Sequence, residues 1–151
     1  MNDRPDDYYD LYRFVEAQDQ IYDQVYSELR QGLKLTHWMW FVFPQLEGLS
    51  LSATSRKFAI SSLEEAIAYL EHPLLGPRLR KCTELVNSTS GKTINQILGP
   101  TDSLKFRSSM TLFAHATKEN SVFESALQKF FDGQYDRLTL ERLQVLGSSA
   151  A

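Results

Sequence analysis

His37-Trp38-Met39-Trp40-Phe41-Val42-Phe43-Pro44-Gln45 is the stretch on which the fold assignment turns. Residues 38–43 form a continuous apolar run, which reads either as a buried strand or as a buried helical turn. A strand needs a partner, and no second run of this kind occurs in the chain. The one hairpin-like dipeptide, Asp132-Gly133, follows a helical stripe and reads as a helix end. The run is therefore assigned to a helix, and the chain to the all-α class.

Helix signals extend outward on both sides. Upstream, Asp10 is placed to cap a short helix that turns Leu11, Phe14 and Val15 inward. Residues 19–31 set Ile21, Tyr22, Val25 and Leu29 on one face, and Gly32 closes that helix. Downstream, Ser62 with Glu65, Thr93 with Gln96 and Ser121 with Glu124 fit the capping box, in which two side chains satisfy each other's backbone donors. His72 is pushed out of helical geometry by Pro73, so two helices meet there. Gly99-Pro100 breaks the chain before a helix capped by Asp102 and running to about residue 118. The helix begun at Ser121 carries Phe123, Leu127, Phe130 and Phe131, and a last one spans about 139–146. Residues 10–146 make one domain, with 1–9 and 147–151 as loose ends.

A chain of 151 residues that is 42% hydrophobic can bury a core of its own. Its formal charge of −3 argues against a broad surface for nucleic acid or anionic lipid, because such surfaces cluster many Lys and Arg. The short group Arg78, Arg80 and Lys81 reads as a solvated helix face. Cys82 is the single cysteine, so no intrachain disulfide can form, and its apolar neighbours predict a buried, inert thiol. No apolar stretch reaches membrane-spanning length, and the acidic start is unlike a secretory signal; the expectation is a cytoplasmic protein.

Recognised chemical motifs are missing. His37, His72 and His115 lie far apart and no HExxH or cysteine pair occurs, so neither a metal nor another cofactor is expected. Ser90-Gly91-Lys92-Thr93 resembles the end of a phosphate loop, but the first glycine of that loop is lacking. Two segments remain. In the aromatic one, neighbouring residues on a helix fan out by about 100°, so the rings cannot all face inward. Either the segment is central and covered all round, or one face lines a cleft whose aromatic walls suit a flat ring such as a nucleobase or nicotinamide. His37, Trp40, Phe43 and Gln45 are its candidate ligand-binding residues.

The second segment is 102–113. On a helix, Asp102, Lys105 and Ser109 fall along one line, with Ser108, Thr111 and His115 along the next. The hydroxyls either bond back to carbonyls four residues earlier or form the polar floor of a pocket, with Lys105 as an anion contact. Lys105, Ser108 and Ser109 are the candidates here. Glu64, Glu65 and Lys57 surround the Ser62 cap, and surface capping accounts for them.

Several motifs together resemble one known family. They are Lys34-x-x-His37 with the aromatic string to Gln45, then Phe58-Ala-Ile-x-Ser62-x-x-Glu65-Ala66-x-x-Tyr69-Leu70, then His72-Pro-x-Leu-Gly-x-Arg78-Leu79, and Lys105 to Phe113. The chain is similar across about residues 10–146 to bacterial domain-of-unknown-function family 1810, whose members are often mislabelled calpastatin-like. The resemblance implies one compact all-α domain of about eight helices, and carries no catalytic residues with it. A looser likeness joins the Glu65-Ala66-x-x-Tyr69 segment and the Lys105-Phe106 helix to small helical N-glycosidases acting on ribosyl and ADP-ribosyl compounds. By that analogy Glu64 or Glu65 would handle the glycosidic bond, Trp40 would stack the base and Lys105 would meet phosphate. Three readings stand open: a small-ligand-binding domain, an N-glycosidase or hydrolase, and a protein-interaction module presenting the aromatic segment as an exposed patch.

Overall fold

A computed structural model describes residues 7–150, with side chains through Gly147. Among these described residues ten helices follow in order: α1 (Tyr12–Asp19), α2 (Tyr22–Gln31), α3 (Met39–Val42), α4 (Ala53–Lys57), α5 (Leu63–Glu71), α6 (Leu75–Asn87), α7 (Ile94–Leu98), α8 (Pro100–Ala114), α9 (Ser121–Phe131) and α10 (Arg137–Ala150). The all-α assignment holds, with ten helices among the described residues against about eight expected; α3, α4 and α7 are short pieces of four or five residues. Among the described residues extended pairing is limited to one parallel bridge, Leu46 with Ile60. No described helix is long and apolar enough to cross a membrane.

Helix α8 is the axis of the molecule. It packs against α5, α7, α9 and α10, and every residue from Ser108 to Ala114 is buried, so its second half has no solvent face. A helix covered all round needs apolar surface on every side, and Phe106, Met110, Leu112 and Phe113 supply it. Its hydroxyls mostly satisfy themselves. Ser108 Oγ donates to the Leu104 carbonyl at 3.2 Å, and Thr111 Oγ1 donates to the Arg107 carbonyl at 2.8 Å while accepting from the Asp136 N–H.

The aromatic string packs against this axis through Phe43 and Phe106. Its 38–43 run forms the single turn α3 with its flanks, and the rings divide between core and surface. Trp38, Met39, Val42 and Phe43 are buried, whereas Trp40 and Phe41 are half-buried. Phe43 packs edge-on to Phe106 at 5.0 Å between centroids, with Trp38 on its other side at 6.2 Å. A second chain of rings, Phe14, Tyr69, Phe113 and Phe123, ties α1 and α5 to α8 and α9.

One buried carboxylate fixes how the string enters the core. Glu28, near the end of α2, is only 2% exposed, and no ion pair to it forms among the described residues. Its oxygens instead accept from the Leu35 and Thr36 N–H groups (2.8 and 3.1 Å), the Thr36 hydroxyl (2.7 Å), the Trp38 indole N–H (2.9 Å) and the Gln24 amide (2.9 Å). Burial pushes its pKa up, but the hydrogen bonds from Thr36, Gln24, Leu35 and Trp38 outweigh that and hold it at about 2, against an ordinary 4.5.

Several helix ends differ from the sequence reading. Asp10 has left-handed geometry (φ +53°) and does not cap α1; the Asp7 carboxylate does, accepting from the Leu11 and Tyr12 N–H groups. The stripe expected over 19–31 is interrupted after Asp19, and α2 restarts at Tyr22. Thr93 and Gln96 form the full capping box. Ser62 caps α5, but the Glu65 carboxylate turns to Ser61 and to Arg13, 2.9 Å away, in place of the Ser62 N–H. Asn120, not Ser121, stands at the start of α9 without a side-chain cap. Helix α8 begins at Pro100, whose missing N–H suits the first turn, and it stops at Ala114, short of residue 118. Arg78 is not merely solvated: it pairs with Asp19 at 2.8 Å and lies over the Tyr22 ring. Cys82 is buried, and desolvation pushes its thiol up to about 12.

Two outcomes follow for stability. Replacing Glu28 by Ala leaves five donors without their acceptor, the buried Trp38 indole N–H among them, so urea unfolding of Glu28→Ala should show a loss of about 2–4 kcal/mol, against about 1–2 for Glu28→Gln, which keeps an acceptor. Equal, small losses for both would contradict this role. At Gly76 an added Cβ would fall 2.0 Å from the Leu70 carbonyl oxygen, where α5 and α6 cross, so Gly76→Ala should cost about 3 kcal/mol in the same assay.

Candidate functional site

The chain leaving α2 is tethered twice before it reaches the aromatic string. Gly32 ends α2 in left-handed geometry (φ +75°), its carbonyl accepts from Lys92 Nζ at 2.9 Å, and the Lys34 N–H donates to the Ile97 carbonyl at 2.8 Å. These tethers lay residues 34–40 beside the junction of α7 and α8. That junction turns on Gly99, whose φ of +94° disfavours any side chain. In the first turn of α8, the Thr101 and Asp102 N–H groups have no carbonyl within the helix to bond.

A cleft of about 370 Å³ opens between these two segments. Its lining includes Lys34, His37, Trp40, Asp102 and Lys105, together with Gly99 and Pro100. Asp102 stands between two ammonium groups. Lys34 Nζ is 2.8 Å from one carboxylate oxygen and Lys105 Nζ is 3.4 Å from the other. Lys34 is nearly covered: it also donates to the Thr36 carbonyl at 2.7 Å and lies 5.0 Å from the Trp38 ring centre. Lys105 is more open, and its ammonium sits 5.1 Å over the Trp40 ring. Two positive charges thus share one negative charge, at a helix start that itself favours anions.

Of the seven candidate residues, His37, Trp40 and Lys105 line this one cleft. Gln45 lies on the other side of Trp40, in a separate hollow of about 20 Å³, space for one water molecule. Phe43, Ser108 and Ser109 are inside the core and reach none of the cleft walls. Phe43 packs on Phe106, Ser108 bonds back along its helix, and the Ser109 hydroxyl is fully buried with no partner among the described residues.

Lys34 and Asp102 were not singled out as site residues from the sequence. Asp102 reads from the sequence both as a helix cap and as sharing one line with Lys105, a three-residue spacing that brings side chains together on a helix. Lys34 carried no local signal, because its partner is 68 positions away along the chain.

Glu64 and Glu65 lie elsewhere. They border a broad open groove with Arg13, Lys57 and Ser61 that shares no residue with the Lys105 cleft. Glu65 is buried and engaged by Arg13 and Ser61. The aromatic segment is not an exposed patch either, for Trp38 and Phe43 are both fully covered.

Comparison with known proteins agrees with this architecture. No curated protein matches the chain. The structure is similar to that of the conserved hypothetical protein Rv1873 from Mycobacterium tuberculosis: the two are 56% identical, with a TM-score of 0.89 over 89% of this chain and 96% of that one. The family model described as protein of unknown function (DUF1810) matches residues 8–143. The chain belongs to the DUF1810 family.

Proposed function

We propose that this is a cytoplasmic domain that binds a small anionic ligand carrying a flat ring, of nucleotide type, in the cleft between residues 34–40 and the first turn of α8. The observation that carries the reading is the arrangement of Lys34 and Lys105 around a single carboxylate, beside the half-buried indole of Trp40. An anionic group entering there meets Lys105, the open N–H groups of Thr101 and Asp102, and the exposed ring of His37. As Lys105 turns to that group it leaves the Trp40 face, which becomes a stacking surface for the ligand's ring. The cleft volume is in the range of small-molecule sites.

The N-glycosidase or hydrolase reading has less support. By the likeness that suggested it, it requires a carboxyl group free to act on the glycosidic bond of the bound group. Both oxygens of Asp102 face ammonium groups, and Glu64 and Glu65 border a different groove.

The direct check is thermal unfolding with millimolar nucleoside monophosphates, ADP-ribose and nicotinamide compounds. A ligand present at a thousand times its Kd stabilises by about 4 kcal/mol, which is a shift of several degrees for a domain of this size. Lys105→Gln should lose most of that shift. Its unliganded Tm should stay within a few degrees of wild type, since a partly exposed ion pair contributes at most about 1 kcal/mol. No shift with any of these compounds would contradict the reading.

A further inference from the structure

We infer that Asp102 is the built-in occupant of the anion seat: its carboxylate stands where a ligand's phosphoryl or similar oxyanion would bind, so ligand competes with it for Lys105 and its charge sets how much negative charge the cleft accepts. This rests on the cleft being the ligand site, and it concerns selectivity, which the proposal above leaves open.

The two lysines differ in how firmly they hold Asp102. Lys34 is 2.8 Å from Oδ2, is nearly covered, and is anchored a second time by the Thr36 carbonyl. Lys105 is 3.4 Å from Oδ1, a contact too long for a strong charge-assisted hydrogen bond. No hydrogen bond from its ammonium is formed among the described residues, and the Trp40 ring is its other neighbour. Lys105 is therefore the member free to change partner, and Lys34 is the one that keeps Asp102 in place. With Lys34 neutralising Asp102, one positive charge remains for the ligand. That balance favours a singly charged or diester-like oxyanion over a pyrophosphate or a triphosphate, which would bring several negative charges against the Asp102 carboxylate.

The experiment titrates inorganic phosphate, pyrophosphate and AMP into wild type and Asp102→Asn, following tryptophan fluorescence, because Lys105 leaving Trp40 changes the environment of a half-buried indole. The expected result is that Asp102→Asn binds phosphate about ten-fold tighter or more. The gain should be larger for pyrophosphate, with a steeper loss of binding on added salt. Lys105→Gln should abolish binding in both backgrounds. If wild type binds AMP but Asp102→Asn binds all three no tighter, the competition is overturned while the site stands. If wild type binds none and the variant binds phosphate, the competition stands and the nucleotide reading falls. Binding by neither overturns both. Should Asp102→Asn fail to fold, because it strips the covered Lys34 of its partner, wild type decides the matter. Saturating AMP or phosphate should then move the Asp102 side-chain carboxyl resonance, and an unmoved resonance overturns the competition.

Discussion

The carboxylate of Glu28 is buried with no cation paired to it among the described residues, and it is tolerable there because five donors converge on it. An uncompensated charge in an apolar interior is costly, so such a group persists only where its surroundings supply a full set of hydrogen bonds. The donors come from its own helix and from residues 35–38, and they include the indole of the largest buried side chain, Trp38. A single group thus fixes both the path of the chain leaving α2 and the orientation of Trp38. The position of Phe43 against Phe106 follows, and with it the contact between the aromatic string and α8.

The same stretch builds the cleft. Residues 34–40 leave the Glu28 cage with Lys34 on Asp102, His37 exposed and Trp40 beneath Lys105. Helix α8 divides its labour along its length: its first turn is polar and borders the cleft, while Ser108 to Ala114 are enclosed by neighbouring helices. Core and site are therefore two ends of one packing unit. The cleft wall has little freedom to move because the side chains behind it, Trp38 and Phe43, are fully covered.

The all-α class was legible because the one continuous apolar run had no partner strand and because hydroxyl–carboxylate and hydroxyl–amide spacings marked helix starts. Thr93 and Gln96 met that signal fully; Ser121 did not, since the cap position of α9 falls one residue earlier, at Asn120, with no side-chain cap. Asp7 was passed over for Asp10 because nothing local shows which of two nearby aspartates has the backbone geometry to cap. Of the cleft, Trp40, His37 and Lys105 were visible as unusual residues in two segments. That these segments meet at residues 34 and 102 was not, because long-range ion pairs leave no periodic trace. Glu28 was invisible for a similar reason: on a helix that is otherwise amphipathic, a glutamate reads as solvent-facing until its partners at 35, 36 and 38 are placed.

The most direct test of this account is a pH titration of the Glu28 side-chain carboxyl by NMR, with the Trp38 indole N–H followed in parallel. Because the folded pKa lies below the ordinary value, the stabilisation from Glu28 is fully present above pH 4.5 and is lost as pH falls toward 2. The account predicts a midpoint at about 2, with the indole N–H and the Leu35 and Thr36 amides losing protection together as the carboxylate is protonated. A midpoint near 4.5 with the Trp38 indole unaffected would contradict it.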